Sequence, residues 1–319
     1  MSIKQKRINY NKWGYYFVAP FIIVYVVFSL IPLLSTFYYS FFEYYYAQGG
    51  FIKVGPNFNG FENYQTLFSQ GVFMKYLGNT AVLWLMGFIP QVIVSLLMAL
   101  WFTSFRLKLK GTTFFKTIMY MPNLVMAAAF SMLFVQLFSN TGGLTTLLID
   151  TGVLPESFSF VDSVWPTRGL IAAMNFLMWF GNTTILLMAG IMGIDDSLIE
   201  SASVDGANSR QVFTKITLPL LKPILLFVLI TSLVGGIQMY DIPFVFTRGT
   251  GGPQGSSQTV MMYISGLLRT SKQYGMAGTA SVVLFLITSV ISLFFFFIMN
   301  KEEIAEYRAE RKVRKELKK

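Results

Sequence analysis

Glu200-Ser-Ala-Ser-Val-Asp205-Gly206-Ala-Asn-Ser-Arg210-Gln-Val-Phe213-Thr-Lys-Ile-Thr-Leu-Pro219-Leu-Leu-Lys-Pro223 is a polar stretch between two long apolar ones. It carries more local instruction than a plain connector needs. Ser197 and Glu200 stand at capping-box spacing, which lets a hydroxyl and a carboxylate satisfy free backbone donors at a helix start. Asp195 and Asp196 put negative charge at the same positive helix end. Gly206 permits a sharp turn that a Cβ would resist. Asn208 or Ser209 caps a second short helix, with Val212, Phe213 and Ile216 at its apolar spacings. Pro219 and Pro223 fall where the next apolar run begins. A helix-turn-helix lying flat on a membrane accounts for these signals on their own. So much instruction also fits a loop shaped to dock on something.

The flanking runs fix the class. Of 319 residues, 54% are apolar, 17% aromatic and only 13% charged; the mean hydropathy is +0.56. A soluble domain carries about 25% charge. Six runs are long enough to cross a hydrocarbon core of ~30 Å at ~1.5 Å per residue: Tyr15–Phe42, Leu77–Phe102, Thr112–Phe138, Arg168–Ile194, Leu220–Tyr240 and Gly278–Asn300. The fold class is therefore all-α and polytopic, with one six-helix membrane domain over 15–300. A tail of 1–14 precedes it and a charged tail of 301–319 follows. Pro32, Pro90 and Pro122 mark expected irregularities in the first three spans. The apolar run after the basic Met1–Lys12 is too long for a signal-peptide core, so the first span stays in the chain.

The net charge of +10 raises the question of nucleic acid. Its distribution answers with topology. With the N-terminus inside, the tails, Arg106–Lys116 and the loop at Glu200 hold 19 of the 25 Lys and Arg residues. That excess follows the positive-inside rule and makes both termini and the Glu200 loop cytoplasmic. The C-terminal tail reads as a charged helix along the membrane surface. Membrane lipid is an expected partner and nucleic acid is not.

Several chemistries are disfavoured. The chain has no cysteine and no histidine, which removes disulfides, imidazole acid–base work and the usual zinc-protease motifs. No metal site is expected. No Gly-x-x-x-x-Gly-Lys-Ser/Thr occurs, so the chain should neither bind nor hydrolyse ATP. No Asp or Glu falls at a span centre, where ion-coupled transporters place an ionisable group. Neutral groups remain: Asn175, Trp179, Asn182, Thr183 and Thr184 in the fourth span, and Thr231, Ser232, Gln238, Tyr240 and Asp241 in the fifth. Amides and hydroxyls can hydrogen-bond sugar hydroxyls, and an aromatic face can stack on a pyranose ring. The same residues also serve helix packing, and Gly235-Gly236 serves as a packing notch.

Glu200, Ala202, Asp205, Gly206, Ala207, Phe213, Ile216, Leu218, Pro219 and Pro223 together resemble the EAA loop of binding-protein-dependent ABC importer permeases. Ser201 stands where that family usually has alanine. Gly60-Phe-Glu-Asn-Tyr64 with Asn79-Thr80 resembles the entry to the membrane core of sugar importer permeases. Thr250-Gly-Gly-Pro253 resembles the T-G-G-P loop of the type represented by the large maltose permease. Taken without the resemblance, Gly249–Ser257 reads as a flexible external loop.

The resemblance implies a type I importer permease fold and a role in moving a carbohydrate, of oligosaccharide size, by alternating access. It implies that 195–218 is the coupling loop, with Glu200, Ser201, Ala202, Asp205, Gly206, Ala207 and Phe213 meeting an ATPase. It implies four kinds of partner: a second homologous permease, two ATP-binding subunits carrying ATP and Mg, an extracellular solute-binding protein and the sugar. No cofactor is expected on this chain. Matched on Trp179-Phe-Gly181 and on Leu218-Pro219, the implied sugar positions are Leu177, Phe180, Gly181, Thr184, Thr231 or Ser232, Gly235 and Gln238. Two other classes stay open: a secondary transporter or channel working without an ATPase, and a membrane-bound enzyme or scaffold using its outer loops.

Overall fold

A computed structural model describes residues 11–104 and 110–301 of the chain. The expected surface helix of the C-terminal tail, the basic segment 105–109 and most of the N-terminal tail lie outside the described residues. The order is α1 (Asn11–Tyr25), a π-helical turn (Val26–Leu30), α2 (Ile31–Tyr39), β1 (Phe42–Ala47), β2 (Ile52–Phe58), α3 (Glu62–Ser69), α4 (Val72–Thr103), α5 (Thr112–Leu124), α6 (Ala127–Phe138), α7 (Gly143–Asp150) and α8 (Val164–Met192). Then follow α9 (Asp196–Val204), α10 (Ser209–Val212), a second π-helical turn (Phe213–Thr217), α11 (Leu218–Leu220), α12 (Lys222–Ile237), α13 (Asp241–Phe246), α14 (Val260–Arg269) and α15 (Tyr274–Met299).

Among the described residues, six helical segments are long and apolar enough to cross a membrane: Trp13–Tyr39, Val72–Thr103, Ala127–Asp150, Val164–Met192, Lys222–Phe246 and Tyr274–Met299. The chain is a mostly helical, multi-pass membrane protein. The third segment differs most from expectation. Thr112–Phe138 is two helices, with Val125 and Met126 extended between them. Pro122 sits in the last turn of α5, and the Val125 N–H turns back to its carbonyl at 3.2 Å. The apolar length of the third candidate span continues from α6 through α7 to Asp150. Pro90, by contrast, lies within an unbroken α4. In the first span the irregularity is the π-helical turn just before Pro32, where the ring cannot follow a tight helical turn.

The chain divides into two units. One comprises the chain up to Gln70 with Ile264–Phe285, the other Gly71–Tyr263 with the chain from Leu286 on. In the first, β1 and β2 form an antiparallel hairpin, an addition to the helices. The first half of α15 packs on this region through small residues. The Thr279 hydroxyl donates to Ser40 O at 2.9 Å, and a Cβ on Gly275 would strike the Phe42 carbonyl.

In the second unit α4 and α8 run together over most of their lengths. Gly87 lets the α8 backbone approach, since its Cβ would lie 3.2 Å from Ala172 O. The α5 helix lies against α8 in the same way. A Cβ on Gly181 would fall on the Met119 carbonyl, and Asn123 donates its amide to Met178 O at 3.1 Å. Membrane helices gain little from the hydrophobic effect, so close backbone approach and side-chain-to-backbone hydrogen bonds do the joining.

Candidate functional site: a capped loop and a cavity

The loop between α8 and α12 is built as two short helices around one turn. Asp195 is the N-cap of α9, and its carboxylate accepts from the Ser197 N–H at 2.9 Å. That bond also holds the Asp195 carboxyl below its ordinary pKa. The cap therefore belongs to Asp195, not to the expected Ser197–Glu200 box. The Ser197 N–H is taken by the aspartate, leaving Glu200 exposed within the helix. Gly206 ends the helix at φ +80°, a conformation that disfavours any side chain. The Ala207 N–H reaches back to Ala202 O at 2.9 Å. Asn208 caps α10 with a full capping box: its carboxamide accepts from Gln211 N–H at 2.9 Å, and Gln211 returns the bond to Asn208 N–H at 2.8 Å.

These caps make the loop self-sufficient in hydrogen bonding and leave its surface free. Glu200, Ser201, Asp205 and Gly206 are exposed, while Ala202, Ala207 and Phe213 are half-buried. Val204 is 88% exposed, an apolar side chain that none of the described residues covers. The two roots of the loop are locked together, because Gly190 at the end of α8 admits Leu221 and Ile224 from α12. Ala99, Leu187 and Met188 extend that junction to α4.

Further along the same helices, α4, α8 and α12 enclose a cavity of about 310 Å3. Its lining is aromatic and amide-rich. Trp84 and Phe88 stack with centroids 5.1 Å apart, and the Trp84 indole N–H donates to Ser232 Oγ at 3.1 Å. Gly236 makes room for this indole, since a Cβ there would overlap it. Gln91 donates to Thr183 Oγ1 at 2.8 Å, and Asn175 to Ile171 O at 3.0 Å. Trp179 and Asn182 complete the polar wall.

Of the eight positions implied for sugar contact, Thr231, Ser232 and Gly235 line this cavity. Gly181 is the contact point for α5, and Thr184 is buried with its hydroxyl on Phe180 O at 2.8 Å. Phe180 stacks on Phe176, Leu177 is half-buried, and Gln238 is exposed at the end of α12. Trp84, Phe88 and Gln91 were not anticipated. They recur at helical spacing on one face of α4, a signal masked by the general apolarity of that helix.

A second cavity, of about 570 Å3, opens beside the Thr250-Gly-Gly-Pro253 loop. The loop is tied down by hydrogen bonds from two helices. The Thr247 hydroxyl accepts from Gly251 N–H at 3.1 Å, and Arg168 donates to Ser256 O at 2.8 Å and to Asn79 Oδ1 at 2.8 Å. Asn79 in turn donates to Gly255 O at 3.0 Å, and Thr80 accepts from Val260 N–H at 3.0 Å. Asn79 and Thr80, noted only as part of a motif, thus anchor this loop to α4.

Helices long and apolar enough to span a membrane, a separately capped loop, and an aromatic cavity with a few amides and hydroxyls between the helices that root the loop are features of a transport permease. Residues 91–301 match the family described as "binding-protein-dependent transport system inner membrane component", and the chain belongs to that family. It is 32% identical over 296 residues to the lactose transport system permease protein LacF of Rhizobium radiobacter, covering 92% of this chain and 96% of that one. It is 29% identical to the multiple sugar-binding transport system permease protein MsmF of Streptococcus mutans, over 95% of this chain and all of the relative. A bacterial alginate ABC transporter, solved with an alginate-bound periplasmic protein, contains a chain of the same fold. The match has a TM-score of 0.70 and 23% identity, and covers 92% of this chain and 96% of that one.

Proposed function

We propose that this chain is the carbohydrate-conducting permease of an ATP-driven importer, with 195–218 as the segment that receives force from an ATPase. The observation that carries the reading is the capped loop between α8 and α12. Its hydrogen bonds are internally satisfied, its Val204 is uncovered, and its two roots belong to helices that line the cavity. A rigid push on such a loop moves the cavity walls directly. The names of the relatives, for lactose, multiple sugars and arabinooligosaccharides, support a carbohydrate. The aromatic and amide lining suits that substrate class.

In this reading the loop and both termini are cytoplasmic. ATP and Mg reside on two partner subunits, a second permease completes the pathway, and an extracellular binding protein delivers the sugar. The chain itself supplies no catalytic group. Reconstitution with these partners in proteoliposomes is the test. Gly206→Pro destroys the turn and Glu200→Lys reverses charge on the exposed face of the loop. Each should abolish sugar uptake while the protein stays in the membrane. Normal uptake with either variant removes the coupling role, and uptake without any ATPase subunit returns the chain to the class of secondary transporters.

A further inference from the structure

The cavity beside the Thr250-Gly-Gly-Pro253 loop has no part in the reading above, yet it is organised. Asp162 stands on its wall, fixed by Asn140 Nδ2 at 2.7 Å and by the Ser159 hydroxyl at 2.8 Å. Both bonds fall on Oδ2, so among the described residues Oδ1 has no protein donor. The same bonds hold the Asp162 carboxyl below its ordinary pKa, so it is an anion and an acceptor at neutral pH. On the facing loop Arg248 is held at φ +51°, in a region that favours glycine. The tight Gly249 N–H to Phe244 O bond of 2.7 Å fixes the turn there. An oriented acceptor and a donor on a strained turn thus line one space of saccharide size, while the Thr250 hydroxyl is spent within its own loop on Thr247 O at 2.7 Å.

The position of this space matters as well. Thr167 on its wall and Asn175 in the other cavity both lie on α8, separated by about 12 Å at ~1.5 Å per residue. Ile171, Met174, Ile242 and Phe246 form an apolar layer between them along α8 and along the α12–α13 segment. A polar chamber and a mainly aromatic one therefore lie in series on α8.

We propose that the chamber beside the Thr250-Gly-Gly-Pro253 loop is a receiving site for a saccharide, occupied before the inner cavity. Asp162 accepts from two neighbouring sugar hydroxyls, and Arg248 donates to ring or hydroxyl oxygens. The site rests on the reading of the chain as a carbohydrate permease.

Because the chain has no cysteine, occupancy can be read by labelling. Thr250→Cys and Thr141→Cys place reporters on opposite walls of the chamber, and Val153→Cys is an exposed control. The assembled complex in right-side-out vesicles is treated with a membrane-impermeant maleimide, with binding protein omitted. Lactose, raffinose and arabinotriose, each at millimolar concentration, are the probes. The expected result is that whichever of these the wild-type vesicles import when binding protein is supplied slows labelling, in its absence, at both reporters and not at Val153→Cys. Adding Asp162→Asn should weaken that protection about tenfold, the loss of one hydrogen bond to a charged group. Binding-protein-stimulated ATPase activity of the Asp162→Asn complex reports that it still assembles. Labelling unchanged by a saccharide that the same vesicles import overturns the site. Protection by the sugar-free binding protein alone overturns it too, and assigns the chamber to protein contact. Wild-type vesicles that import none of the three, with the ATPase still stimulated, sink the carbohydrate reading itself.

Discussion

At the residue scale, glycines decide how close the helices come. Gly181 sits where a Cβ would overlap the Met119 carbonyl, so Gly181→Ala forces the α5 backbone away from α8. An overpacked helix contact costs about 1–3 kcal/mol. The variant should melt at a lower temperature in detergent, read by size-exclusion after heating; an unchanged melting curve refutes the contact. Gly236 has a different task, since it seats Trp84 against α12 so that its indole reaches Ser232. Trp84→Ala removes an aromatic wall of the cavity without touching the loop. Sugar uptake should fall at least tenfold, the equivalent of about 1.4 kcal/mol, while binding-protein-stimulated ATP hydrolysis persists. Retained uptake excludes Trp84 from the pathway.

At the scale of elements, the caps of α9 and α10 make the loop stiff enough to transmit a movement. Asn208→Ala loses the half of the reciprocal box in which the Asn208 carboxamide accepts from Gln211 N–H, worth about 1 kcal/mol for the helix. Sugar moved per ATP hydrolysed should fall, with the quantity of assembled complex unchanged. An unaltered ratio shows that α10 carries no load. This loop was the most legible part of the chain, because capping is local chemistry. The Gly206 turn follows from residue type alone, while the second cap was narrowed to Asn208 or Ser209 and the structure places it on Asn208. The Asp195 cap was misplaced onto Ser197 because the Asp195 and Glu200 carboxylates compete for the Ser197 N–H, and only the backbone decides between them. The break at Val125–Met126 was not legible either. Pro122 announced an irregularity, but Pro90 gave the same signal inside a continuous helix.

For the whole molecule, hydropathy and the spacing of apolar runs found the spanning helices, because a bilayer leaves the backbone few alternatives. They could not find the cavity. Its lining comes from α4, α8 and α12, and their meeting depends on glycines distant in sequence. Charge asymmetry further predicts a topology. Single cysteines at Gly111 and Gly206 should label only from the cytoplasmic side, and at Gly60, Gly152 and Gly255 only from outside. External labelling at Gly206 reverses the orientation and ends the coupling role with it.

The interruption between α5 and α6 has a mechanical meaning. The α5 half is fastened to α8 by Gly181 and Asn123, whereas the α6 half is fastened to α13, with Ser131 donating to Ile242 O at 3.1 Å. Two consecutive helices are thus bolted to two different parts of the machine. If α8 and α13 swing apart during transport, a straight rod would have to tear loose from one of them. A pair jointed at Val125 and Met126 follows both, so α5 and α6 work as a linkage with a pin between them.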